Sequence, residues 1–235
     1  MPAQITIPAR FNGPPTSGNG GYSCGVLAAH IRGPARIRLH VPPPLDTALA
    51  ITGTATGGVE LHHGDTLVGT GEPASLDLQI PEPPSIGAAL TAMQGYPCYR
   101  NHVFPTCFVC GPERALHDGL ELFPGPLSGR DGVWACLWQP AADLLDECGL
   151  IRAEIVWAAL DCPGYFAALG DRLRPALLGE LLGELYMPVA GDQPLIVFSW
   201  PLAEEGRKFY AGTAIATGAG EIVASARSIW VALRH

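Results

Sequence analysis

The feature that most constrains this chain is that it says nearly the same thing twice. Leu39-His40-Val41-Pro42 with Asp46 returns, at one constant interval, as Leu185-Tyr186-Met187-Pro188 with Asp192. Gly64-Asp65-Thr66-Leu67-Val68-Gly69-Thr70-Gly71 is paralleled by Gly220-Glu221-Ile222-Val223-Ala224-Ser225-Ala226 at a longer interval, and the segment from Pro201 to Arg207 is the insertion that accounts for the difference. Short periodic matches arise by chance in Gly- and Ala-rich β sequences, so the stronger argument is the order of elements around them.

Only two runs read as strongly helical. In Gly18 to Ile31, Tyr22, Val26 and Ala29 recur at helical spacing and Gly33-Pro34 ends the run; Ala153 to Leu169 is longer and more apolar. After the first come alternating segments at Arg36–Val41, Ala48–Thr56, Val59–His62, Thr66–Gly71 and Ser75–Ile80, with hairpin signals at Gly57-Gly58 and Gly64-Asp65. After the second come Leu178–Val189, Leu195–Trp200, Lys208–Thr217 and Ile222–Leu233. Strand, helix, then several antiparallel strands, twice over, is the expected architecture.

Composition narrows the class of function. With 48% hydrophobic and 15% charged residues over 235 positions, the chain is long and apolar enough to bury a core and too poor in charge to be disordered. The net charge of -8 and a single lysine, Lys208, argue against nucleic acid, whose binding needs a basic face. No apolar stretch is long enough for a membrane span and MPAQITIPARF lacks the pattern of a signal peptide, so a cytoplasmic protein with no membrane partner is expected. Seven cysteines, an odd number, fit reduced thiols better than a disulfide framework. Edge strands and a charge-poor surface make a homodimer a reasonable expectation.

Two motifs carry a family resemblance. Cys107-Phe108-Val109-Cys110-Gly111-Pro112 followed by Gly119-Leu120-Glu121-Leu122 resembles the opening of many hotdog thioesterase domains, and it stands where the second half of the repeat begins. Phe11-Asn12-Gly13-Pro14 and Asn19-Gly20-Gly21 resemble the strand end and glycine pair that open the hotdog helix. The resemblance implies an α+β fold of two tandem hotdog units, each a long helix wrapped by an antiparallel sheet, over 1–97 and 98–235. It also implies acyl thioester ligands such as acyl-CoA, bound between the units, and no cofactor.

In such proteins one helix N-terminus polarises the thioester carbonyl and an acid on the other unit's helix acts on it. Exposed N–H groups at a glycine-rich helix start can stabilise a developing oxyanion, and a nearby carboxylate can serve as general base or nucleophile. The family places the acid about two helical turns after the glycine pair. In the first half that position is Ala28, which cannot act; in the second, Asp161 interrupts an apolar run, but Ala153-Glu154 stands where the glycines would be. Each half keeps what the other lacks, which implies one composite site: Asp161 as the catalytic group, with Asn19, Gly20, Gly21 and Tyr22 as the oxyanion and substrate-binding turn. The bland alternative is that Asp161 merely caps a turn before Pro163, whose missing N–H perturbs the helix. A second alternative is an acyl-ligand binding or structural module without turnover. An enoyl-thioester hydratase would be expected to use an Asp-His pair on one segment, and none is found.

Cys98, His102, Cys107 and Cys110 form a C-x3-H-x4-C-x2-C run, and Cys-x-x-Cys is an ordinary half of a zinc site. The remaining spacing departs from a zinc knuckle and the resemblance already accounts for the motif, so no metal is assigned. His62-His63 reads as an exposed hairpin end, His30 as a helix C-terminal cap, Cys24 as a small core residue, Arg207-Lys208 as solvated, and Trp134, Trp138, Trp157 and Trp230 as core.

Overall fold

The computed structural model describes residues 3–233. Its strands are β1 (Ala3–Thr6), β2 (Ala35–Leu39), β3 (Ala48–Gly53), β4 (Val59–His63), β5 (Thr66–Pro73), β6 (Gly125–Pro126), β7 (Trp134–Trp138), β8 (Ala176–Leu185), β9 (Leu195–Glu205), β10 (Lys208–Ala216) and β11 (Ile222–Ala232). They form one 11-stranded sheet in the order β1-β3-β4-β5-β2-β8-β11-β10-β9-β7-β6. The helices are α1 (Gly20–Ala28), α2 (Ile86–Met93), α3 (Ala153–Ala159) and α4 (Cys162–Leu169).

Outward from the central β2–β8 pair, the two flanks run through matching strands: β5, β4, β3 and β1 on one side, β11, β10, β9 and β7 on the other. The seam itself is antiparallel, with Ala35 to Arg38 opposite Gly183 to Glu180. Alternating buried and exposed residues along β2 and β4 follow from a sheet with one face on the core. The sequence insertion from Pro201 to Arg207 becomes the outer arm of β9 and the turn into β10, closed by Gly206 at φ 60°. Pro201 lies beside a register shift in the β9–β10 ladder, where a missing N–H is tolerated.

The sheet wraps a buried helical layer. α1 crosses α3 so closely that a Cβ on Gly21 would stand 2.6 Å from Trp157 O, and one on Gly25 would stand 2.6 Å from Glu154 Cα. These glycines are required by backbone approach rather than by turn geometry. Trp157 then fills the space over Gly183 of β8, tying the helix pair to the seam.

Three expectations need correction. The long second helix is two: its first part ends at Ala159, and Asp161 leaves helical geometry at φ -84° and ψ -86° before α4 begins. Pro163 has no N–H to continue the ladder and sits comfortably in the first turn of a new helix. Ser75–Ile80 is not a strand. It alternates half-buried Leu76, Leu78 and Ile80 with exposed neighbours, but has no ladder partner; Leu78 and Ile80 pack on a second apolar cluster with Ala89 and Ala92 of α2. That helix, starting at the Ser85 cap, was not foreseen among the surrounding prolines.

Candidate active site

The start of α1 leaves three backbone N–H groups without helical acceptors, those of Gly20, Gly21 and Tyr22, because the first intrahelical bond is Ser23 N–H to Asn19 O. Asn19 caps the helix, its Oδ1 accepting from Tyr22 N–H at 2.9 Å. Gly21 N–H donates 2.8 Å to Asp161 Oδ2. Gly20 N–H has no partner among the described residues.

Asp161 is therefore no simple cap. It occupies the position before α4, yet its side chain makes no capping bond there; it reaches across to α1 and also accepts 3.0 Å from Asn19 Nδ2. It is 1% exposed, and its Oδ1 is buried with no hydrogen-bond partner. Burial pushes its pKa up to about 7, opposed by the Gly21 N–H, raised further by Cys107, and opposed again by Asn19. A carboxyl with one free oxygen is thus fixed by two donors between two helix N-termini, where negative charge is favoured. Two residues 142 apart in sequence, Asn19 and Asp161, meet here because α1 and α3 pack so tightly.

Gly20 and Asp161 open onto an apolar cavity of about 310 Å³. Val103, Phe104, Tyr165, Leu178 and Trp230 are among its walls, and Cys107, Cys110 and Cys162, whose sulfurs cluster together, line it as well. A Cβ on Gly20 would meet Leu178 at 2.9 Å and Asp161 Oδ2 at 3.4 Å, so only glycine lets a ligand atom approach this N–H. An unpartnered N–H, a buried carboxyl oxygen and an apolar cavity of this size suit a ligand with one polar reactive centre and an apolar body.

The structure brings Asn19, Gly20, Gly21 and Asp161 together. Tyr22 takes part only through its capped N–H; its ring stacks on Phe11 at 4.0 Å. His62 lies within β4, its Nε2 3.0 Å from Glu60 Oε2, and His30 is exposed just past α1. Arg207 reaches the cavity rim, where its Nη1 donates 3.0 Å to Ala232 O. The four tryptophans are buried, and Trp230 also lines the cavity. Sequence reasoning missed Cys162 and Tyr165, although the turn after Asp161 offered the signal: both follow it at positions that share its helix end.

Neither a protein-family model nor a curated protein matches this chain. Solved structures do. Acyl-CoA thioesterase II TesB2 from Mycobacterium marinum superposes with a TM-score of 0.62 at 12% identity, over 93% of this chain and 90% of that one. The tesB protein of Mycobacterium avium subspecies paratuberculosis gives 0.59 at 12% identity, over 92% and 87%. A hotdog-fold protein from Alicyclobacillus acidocaldarius gives 0.58 at 9% identity, over 99% and 93%. At these identities the likeness establishes the fold. With its wrapped helices and long antiparallel sheet, this chain has the hotdog fold.

Proposed function

We propose that the chain hydrolyses acyl thioesters, acyl-CoA or another carrier-bound acyl group, at one composite site between two tandem hotdog units, 1–97 and 98–235. The observation that carries the reading is Asp161 Oδ2 held 2.8 Å from Gly21 N–H, beside the unpartnered Gly20 N–H at the floor of an apolar cavity. The carbonyl oxygen of the thioester takes the Gly20 N–H. Asp161 accepts a proton from water as the water oxygen bonds to the carbonyl carbon, and the displaced π pair becomes an oxyanion facing the helix start. Collapse breaks the C–S bond; the thiolate leaves with the proton, giving acid and thiol. Asn19 positions Asp161 and caps α1 with the same amide. All seven cysteines are free thiols, which suits a reducing cytoplasmic setting.

Support for a single site comes from the residues themselves: the mirror position of Asp161 is Ala28, and the mirror of Gly20-Gly21 is Ala153-Glu154. The test is thiol release from short, long and aromatic acyl-CoAs by wild type and Asp161→Ala. Turnover that disappears in a folded variant supports the proposal. Binding without turnover by the wild type would replace it with a non-catalytic acyl-ligand module.

A further inference from the structure

We propose that Cys107, Cys110 and Cys162 form a Zn²⁺ site of three thiolates whose fourth coordination position opens on the cavity. The inference stands whether or not the protein turns over thioesters. The three sulfurs all lie within 4.8 Å of one another, and Cys107 Sγ is 3.7 Å from Cys162 Sγ. Zinc–sulfur bonds of about 2.3 Å in tetrahedral geometry set an S···S edge of about 3.8 Å, so this pair already has the spacing a shared zinc ion imposes.

The local backbone is built around sulfur. Cys107-Phe108-Val109-Cys110-Gly111 is a tight turn in which Gly111 N–H donates 2.9 Å to Cys107 O. A Cβ on Gly111 would stand 2.5 Å from both Cys107 N and Pro105 O, so the turn admits only glycine there. The turn is anchored from outside: Phe108 N–H donates to Asn12 O at 2.8 Å, and Leu120 N–H and Leu122 N–H donate to Phe108 O and Val109 O. Cys162, from the first turn of α4, brings the third sulfur to this anchored pair.

Polar groups around the sulfurs point the same way. Asn19 Nδ2 lies 3.9 Å from Cys162 Sγ and 4.0 Å from Cys107 Sγ. His102 Nε2 lies 3.4 Å from Cys110 Sγ, while its Nδ1 accepts from Phe104 N–H at 2.9 Å. That bond assigns the imidazole proton to Nε2, which makes His102 a donor to the sulfur rather than a ligand. A set of three sulfur ligands selects a thiophilic ion over magnesium or calcium. Cys98, which the sequence motif would have enlisted, is not in the cluster; Cys162 takes its place.

The experiment is elemental analysis of untagged, reduced protein, followed by anaerobic Co²⁺ titration of the metal-stripped chain. The expected result is one zinc per chain and, with Co²⁺, a thiolate-to-cobalt charge-transfer band of an intensity fitting three sulfurs. Cys110→Ser and Cys162→Ser should each weaken binding by at least about 100-fold, whereas Cys148→Ser, at an exposed position, should leave it unchanged. Asp161→Asn should keep the metal, which separates this proposal from the catalytic one. Co²⁺ titration of the wild type needs no variant to fold: absence of the charge-transfer band in fully reduced protein overturns the site. So does undiminished binding in a folded Cys162→Ser variant.

Discussion

Gly21→Ala tests the close approach of α1 to α3. The new Cβ would stand 2.5 Å from Asp161 Cβ, 2.6 Å from Trp157 O and 3.0 Å from Ala158 Cα. Carbon atoms rest at about 3.5–4.0 Å, so α1 and α3 must part by roughly 1 Å. Two of the three obstructing atoms are backbone and cannot rotate aside, which puts the cost at the upper end of the usual overpacking range, about 3 kcal/mol. Replacing glycine by alanine in a helix returns at most about 1 kcal/mol. The net loss of about 2 kcal/mol should lower the melting midpoint of a chain this size by roughly 4–8 °C. A matched control is Gly87→Ala, in α2, exposed and with nothing within 4 Å of the new Cβ; there the propensity gain is unopposed, and stability should rise by up to about 1 kcal/mol. Calorimetry on the two variants gives opposite signs if the packing is right. A Gly21→Ala protein that melts at or above the wild type would refute the helix contact and, with it, the placement of Asp161.

Two other substitutions probe the supports. Asn19→Ala removes the cap on Tyr22 N–H and one donor to Asp161, and should cost about 1 kcal/mol in urea unfolding; unchanged stability would mean that Asn19 does not cap α1. Glu180, at the β2–β8 seam, is 4% exposed and lies 2.8 Å from Arg38 Nε, with Arg36 and Arg227 at 3.7 Å and 3.9 Å. Glu180→Ala leaves three guanidinium groups facing one another, and because all three are partly solvated the loss should fall near the lower end for a broken buried pair, about 3 kcal/mol. A loss under about 0.5 kcal/mol would assign the seam's stability to its backbone ladder alone.

How far the sequence could be read depended on the range of the signal. Local signals worked: Asn19 before two glycines marked a helix start, and Gly64-Asp65 marked a hairpin. An acid breaking the run Ile155 to Leu160 was legible as an anomaly, but not the direction its side chain takes, because Pro163 was compatible with capping or with a break. Ser75–Ile80 had a strand's alternation because extended chain packed on a helix buries every second side chain just as a sheet does. Only ladder partners distinguish the two, and these are not local. Cys162 was invisible beside Cys107 and Cys110 for the same reason: 55 residues separate it from Cys107, and only the break before α4 brings their sulfurs to 3.7 Å.

The central claim is that Asp161 acts on a thioester held at the start of α1. Asp161→Asn addresses it most directly, since the amide oxygen can still accept from Gly21 N–H while the proton-accepting carboxylate is gone. Steady-state thiol release from the best acyl-CoA substrate should show kcat reduced by about 10²–10⁴-fold with KM nearly unchanged and the melting midpoint preserved. A folded Asp161→Asn protein that retains wild-type kcat would contradict the account.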